Sequence, residues 1–313
     1  MRSDLLHVIA VVSNPIRFRS RYELFKKFKR HVQASGAILH VVEVAFGDRP
    51  FEVTSDSDNC HVIQLRTLDE VWIKESMIQL AISRLPADWQ YVAWVDADIT
   101  FSREDWAEET VHQLQHYHVV QMFSHAIDLG PKEEPIQSHR GFVYCYLNQG
   151  MPDKGSGYYN QVGKNATDWH PGYAWAASRE AITKLGGLID FAILGASDHH
   201  MAHALVGNAE KSLPGGIHPN YKTMVMQWQR RALLHINYDI GYVPTTIMHH
   251  FHGSKRKRFY KERWKIITDN NYDPMNDIKR DYQGLLQVTE TKPKLRDDIR
   301  AYFRSRDEDG TEV

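Results

Sequence analysis

At 313 residues, 42% hydrophobic and 25% charged, the chain can bury a full core and has the composition of an ordinary soluble protein. A formal net charge of −1 excludes a global field drawing it to nucleic acid or an anionic membrane. Cys60 and Cys145 are too few for a disulfide framework, and a reduced compartment is the default. The N-terminal apolar run is too short for a membrane span and has no small-residue cleavage site after it, so the expected location is the cytoplasm.

Leu5 to Ser13 is a β-branched run suited to a central parallel strand, and Ser13-Asn14-Pro15 ends it in a turn. Tyr22, Phe25, Phe28 and Val32 share one side of a helix closed by Gly36. Ala37 to Phe46 and His61 to Arg66 read as strands. Leu68 to Leu85 reads as a helix ended by Pro86, with Leu68, Val71, Ile78, Ile82 and Leu85 facing the sheet. Tyr91 to Phe101 (YVAWVDADITF) begins as a buried strand and runs into two aspartates. Residues two apart on a strand share a face, so Asp96 and Asp98 point together, an arrangement that repels itself unless a divalent cation sits between them.

Trp106 to Tyr117 reads as a helix, His118 to Ser124 as a strand and Phe142 to Leu147 as a short aromatic strand. Gly150 to Gly163, glycines among tyrosines, suits an active-site loop, and Asn165-Ala166-Thr167, formally a glycosylation acceptor, reads as plain loop. Trp169, Tyr173 and Trp175, among glycine and small residues, offer flat faces on which a sugar can stack. Ser178 then caps a helix that Gly186-Gly187 stops. His199 and His203, four apart, also match the spacing of a zinc hydrolase, although the glutamate that normally follows the first histidine is absent.

Tyr221 to Ile236 reads as an amphipathic helix with Val225, Trp228 and Ala232 inward, and Ile240 to Phe251 as a strand interrupted at Pro244. Strand alternation puts His250 and His252 on one face and His249 on the other. Beyond them Lys255, Arg256, Lys257, Arg258, Lys261, Arg263 and Lys265 are interleaved with Phe259, Tyr260 and Trp264, a phosphate-binding composition. Leu295 to Phe303 is an expected helix and RSRDEDGTEV an expected disordered end.

Asp96-Ala97-Asp98 after an apolar strand, about a hundred residues into a chain that opens with another, resembles the DxD motif of GT-A nucleotide-sugar glycosyltransferases of the family-2-like kind; the match covers roughly Leu5 to Trp264. The resemblance implies an α/β, Rossmann-like, mostly parallel central sheet flanked by helices in residues 1–268, followed by a partly helical C-terminal extension in residues 269–313. It implies a metal-dependent transfer of sugar from a nucleotide diphosphate, most readily a UDP-sugar, to an acceptor hydroxyl. Asp96 and Asp98 would bind Mn²⁺ or Mg²⁺, with His252 completing the site and His250 as the alternative.

In the same resemblance Ser13, Asn14 and Arg17 lie against the nucleotide, while Arg66 and Lys74 reach ribose or diphosphate. Lys255 and Arg258 hold the leaving diphosphate, and Asp198, in a glycine-plus-acid segment, is the base of an inverting transfer. The segment carries one acid where the pattern often carries more. A hydroxymethylated pyrimidine in DNA, as in phage-type modification, is a compatible acceptor, as are a glycan or a protein. A zinc hydrolase using His199 and His203, and a non-catalytic nucleotide-sugar or nucleic-acid binding module, stand as alternatives from other classes.

Overall fold

The computed structural model describes residues 5–55, 57–150, 169–259 and 262–312. Strands β1 (Leu6–Ser13), β2 (Ile38–Phe46), β3 (His61–Thr67) and β4 (Tyr91–Val95) lie side by side and parallel, with helix α1 (Arg19–Ala34) between β1 and β2 and α2 (Lys74–Ile82) between β3 and β4. Their alternate residues enter different cores. Leu6, Val8, Ala10, Ala93 and Val95 pack with Phe25, Phe28 and Val32 of α1, whereas Ile9, Val42, Val92 and Trp94 pack with Met77, Ile78 and Ala81 of α2. A sheet covered on both faces requires this continuous apolar run, which is why these segments lack polar alternation.

The chain continues through β5 (Ile99–Phe101), α3 (Trp106–Leu114), β6 (Val119–Gln121), β7 (His125–Leu129), β8 (Pro135–Gly141) and α4 (Phe142–Gln149). Then follow β9 (Trp169–His170), β10 (Ala174–Ser178), α5 (Arg179–Leu185), α6 (Ser197–Leu205), α7 (Pro219–His235), β11 (Ile240–Tyr242) and β12 (Thr246–His249). The last elements are α8 (Arg263–Asp269), the hairpin β13 (Ile278–Arg280) and β14 (Leu286–Val288), and α9 (Pro293–Ser305). The main sheet has seven strands in the order β11-β6-β10-β4-β1-β2-β3, and β10 alone runs against the others. A mostly parallel central sheet flanked by helices is therefore observed. No helix among the described residues is long and apolar enough to cross a membrane.

A second sheet, β5-β12-β7-β8-β9, has one consequence for the site. Its register sets His249 opposite Ile99 on one side and Asp128 on the other, and His250 N–H donates to Asp98 O at 2.8 Å. The turn of Asp96 to Asp98 is thereby fastened beside the end of β12.

Several elements differ from their expected form. The helix over residues 68–85 is confined to Lys74–Ile82, because Trp72 N–H is bonded to Ile193 O and Asp69 N–H to Thr67 Oγ1; Leu68 is 75% exposed. Phe142 to Leu147 is the start of helix α4 rather than a strand: Gln121 Oε1 accepts from Val143 N–H, and Phe142, Val143 and Cys145 turn inward. The Gly150 to Gly163 loop, beyond Gly150 itself, and Asn165-Ala166-Thr167 lie outside the described residues.

The expected disordered end is seated on the body of the protein. Asp309 accepts from Arg19 N–H and Ser20 N–H at 2.9 and 2.8 Å, capping α1, while Lys257 pairs with Asp307 at 2.6 Å and Glu308 is 2% exposed. Charge read from sequence suggests solvation, but these carboxylates find backbone donors and cations instead. Gly253 makes this contact possible: at φ +82° it lies so close that a Cβ would stand 2.1 Å from Asp307 O and 2.8 Å from Glu308 Cα. Gly253→Ala is expected to cost about 1–3 kcal/mol, read as a lower urea midpoint at unchanged slope. An unchanged midpoint would mean that the tail does not pack there.

Candidate active site

The parallel strands β1 and β4 end beside one another, and open α/β sheets bind ligands at such strand ends. A cavity of about 210 Å³ opens there, lined from β1 by Ser13 and Asn14, from the turn after β4 by Asp96 and Asp98, and from later segments by Asp198 and Arg258.

On one wall, Asp98, His249 and His252 each present a ligand atom within 4.8 Å of the others, the group suited to a cation among the described residues. His252 Nε2 is 2.9 Å from Asp98 Oδ2, and His249 Nε2 is 3.9 Å from Asp98 Oδ1. That Oδ1 is buried without a hydrogen-bond donor, a costly state for a carboxylate unless a cation completes it. Asp98 is ionised: burial opposes its charge, but His252, then His249 and Arg258, hold its pKa far below the ordinary carboxylate range.

His249 is oriented by Asp128, whose Oδ1 lies 2.7 Å from Nδ1; the network assigns Nδ1 the proton and leaves the Nε2 lone pair facing Asp98. Burial lowers the His249 pKa, with the Asp128 hydrogen bond opposing. Asp128 also accepts from Tyr173 Oη at 2.9 Å, pairs with His139 Nε2 at 2.5 Å and bonds Lys255. Burial acts against the Asp128 charge, yet His139, His249 and Lys255 keep its pKa far below the usual range. Two imidazoles and one carboxylate form a mixed nitrogen–oxygen set that fits Mn²⁺ better than Mg²⁺.

Asp96 turns to Lys74, at the first residue of α2, and the two are hydrogen-bonded. Burial disfavours charge on Lys74, but Asp96, Glu75 and Asp198 hold its pKa above the ordinary value. Beside it, burial pushes the Glu75 carboxyl up to about 7, Lys74 opposing and Asp198 adding. The folded carboxyl therefore holds its proton over a pH range, from the ordinary 4.5 to about 7, in which the unfolded one loses it. Stability is fully retained below that window and falls as pH rises through it, by on the order of 3 kcal/mol. Glu75→Gln should flatten this fall when urea unfolding is compared at about pH 5 and about pH 8; an undiminished fall would place the titration elsewhere.

Asp198 lies in the first turn of α6, after Ala196 in a left-handed conformation at φ +84°. Its Oδ1 accepts from His199 N–H at 2.7 Å, and its Oδ2 would be 2.4 Å from a Cβ on Gly172, so glycine there leaves the carboxylate room. It is both a helix-terminal acceptor and a wall of the cavity.

Other expected residues are placed differently. Arg17 faces solvent and pairs with Glu52, and it lines a small neighbouring hollow that it shares with Asn14. Arg66 lies over the Phe51 ring and donates to Gly47 O and Arg49 O, fastening the loop after β2 rather than lining the cavity. Lys255 is held by Asp128, behind the cavity wall. His250 is turned away from the cation group: the strand ends at His249, so alternation stops, and its ring contacts Thr100 Oγ1 at 3.0 Å and Lys27.

Trp169 and Trp175 are core residues, 3% and 4% exposed; Trp175 Nε1 donates to Pro171 O, and Trp169 packs on Phe142 and His199. Neither lines the cavity. Tyr173 does, but its hydroxyl is engaged by Asp128 and its ring stacks on His170 at 3.8 Å. His199 and His203 stand edge to face in that same aromatic packing, outside the cation group. Of the basic run, Arg258 and Arg263 are buried on the cavity and Lys257 is paired, so it does not present a continuous basic face; Tyr260 and Lys261 lie outside the described residues.

Sequence reasoning passed over His249, Asp128, Glu75, Arg21, Arg306 and Glu308. A signal existed for His249, in its place beside two other histidines, whereas Asp128 reaches the site only through the pairing of β7 with β12.

No protein-family model and no curated protein matches the chain. Among solved structures, a mutant of Drosophila β1,4-galactosyltransferase 7 in complex with manganese, UDP-Gal and xylobiose overlaps 93% of this chain and 98% of its own, at 12% identity and a TM-score of 0.38. The catalytic domain of the same enzyme with xylobiose gives 93% and 98%, at 11% identity and 0.38. A protein from Desulfovibrio desulfuricans, provisionally named a nucleotide-diphospho-sugar transferase, gives 97% and 98%, at 12% identity and 0.35.

Proposed function

We propose that this chain is a metal-dependent glycosyltransferase that takes a sugar from a nucleotide diphosphate, a UDP-sugar first among candidates, and passes it to an acceptor hydroxyl. The observation that carries the proposal is the orphaned Asp98 Oδ1, 3.9 Å from His249 Nε2, with His252 Nε2 2.9 Å from the other oxygen of the same carboxylate, on the wall of a cavity that also bears arginines. Asp98, His249 and His252 would hold a divalent ion, which supplies Lewis-acid neutralisation of the leaving diphosphate.

The chain's own residues do the remainder. Arg258 and Arg263 offer charge-assisted hydrogen bonds to phosphate oxygens, and Ser13 and Asn14 border the same space from the end of β1. Lys74 holds Asp96 in place. The acceptor oxygen attacks the anomeric carbon from the face opposite the diphosphate oxygen as that bond breaks, and its proton passes to Asp198; this single displacement inverts the anomeric centre. The buried Trp169 and Trp175 leave Tyr173 as the aromatic bordering the cavity among those first suggested for acceptor stacking.

The test is a turnover assay: release of free nucleotide diphosphate from UDP-sugars in Mn²⁺, with pooled glycans, peptides or hydroxymethylated DNA as acceptor. Release that depends on both acceptor and metal supports the transferase, and the acceptor class that supports it names the substrate. Binding of a donor without release in any pool would overturn it in favour of a binding module.

A further inference from the structure

The centre contains a second buried carboxylate that the proposed chemistry does not use. Glu308 comes from the C-terminal tail and is 2% exposed. Arg21, on α1, grips it through both Nε and Nη2, the latter 2.9 Å from Oε1, and Arg306 Nη2 is 2.6 Å from the same oxygen. Oε2, which accepts from Arg21 Nε, also lies 3.4 Å from His252 Nδ1. The other ring nitrogen, Nε2, faces Asp98 at 2.9 Å and the Arg258 guanidinium at 3.0 Å, which also reaches Nδ1 at 3.4 Å.

The arrangement parallels, at a longer distance, that of His249, whose Nδ1 lies 2.7 Å from buried Asp128 while Nε2 faces Asp98. A carboxylate at one imidazole nitrogen fixes the proton there and presents the other lone pair outward. We propose that Glu308 is a positioning residue for His252, so that the seated C-terminal tail sets the divalent-cation affinity of the centre. The inference rests on the metal-centre reading above.

Tethering of the tail alone does not require this residue to reach the ring. Asp309 caps α1, Ser20 Oγ donates to Glu308 O at 2.8 Å, and Lys257 holds Asp307, all without a contact to the imidazole. Arg21 and Arg306 offset the burial of the Glu308 charge, and the oxygen that Arg21 Nε engages, Oε2, is also the one that lies 3.4 Å from the imidazole Nδ1, so the pairing aims the carboxylate at the ring.

The test uses the full chain and Mn²⁺ alone, with bound and free metal counted by electron paramagnetic resonance and melting followed separately without metal. Glu308→Gln should weaken Mn²⁺ binding by about 10- to 100-fold under conditions where the protein is folded, whereas Asp307→Asn, which loosens only the surface pairing, should not. In a His252→Ala background the further change to Glu308→Gln should have no effect, since the histidine through which it acts is gone. Wild-type affinity in Glu308→Gln, or an equal loss in both backgrounds, would overturn the positioning role while leaving the metal centre standing. Failure of the wild-type chain to bind Mn²⁺ would overturn the centre and this role together.

Discussion

Replacing Asp98 by alanine is expected to weaken Mn²⁺ binding by more than about 100-fold and to abolish metal-dependent donor binding, the largest effect of any single change in the site. The residue supplies the only carboxylate of the cation group among the described residues. Asp96, the other acid of the pair, is committed to Lys74. Asp98→Asn, which keeps the shape and removes the charge, should fall close to alanine, because the lost term is the anion between two imidazoles rather than packing. Calorimetric titration with Mn²⁺ measures both variants. Wild-type affinity in either would mean that the histidines alone, or another group, hold the ion.

Asp198→Asn is expected to lower kcat by about 10²- to 10⁴-fold, the range of general-base removal, with the donor affinity left near that of the wild type. The amide oxygen can still accept from His199 N–H, as Oδ1 does at 2.7 Å, so the start of α6 is preserved and the loss falls on proton acceptance. This separates the two places the residue occupies, as helix-terminal acceptor and as cavity wall. Transfer at close to the full rate would remove Asp198 as the base, and with it the argument for inversion. The anomeric configuration of the product, read by NMR, checks that stereochemistry directly.

Much of this site is legible in the chain because its local signals are strong. Tyr91 to Val95 is apolar enough to be a doubly buried strand, and the acids that follow it stand where such a strand must end. Ser178 as cap and Gly186 in the left-handed region are equally local, and both occur as their chemistry demands. What was not legible depends on contacts made across the fold. His249 joins the site because β12 stops there and the chain turns, so the alternation that favoured His250 no longer applies. Asp128 is an unremarked acid until β7 pairs with β12. Trp169 and Trp175 have the composition of a stacking platform but are consumed by the core: α4 and α6 pack on Trp169, and Trp175 Nε1 donates to Pro171 O. The acidic tail misleads most: its low hydropathy reads as solvated, yet Glu308 and Asp309 are drawn in by Arg21, Arg306 and the open N–H groups of α1.

The central claim, that Asp98, His249 and His252 form a cation centre serving a nucleotide-sugar donor, is tested most directly by calorimetric titration of the chain with a panel of UDP-sugars. The titration is run in Mn²⁺ and repeated in EDTA. The account predicts that one donor binds in Mn²⁺, that EDTA removes the binding, and that Asp98→Ala reproduces the EDTA result in the presence of metal. Donor binding indifferent to EDTA, or no binding to any donor in Mn²⁺, would contradict it.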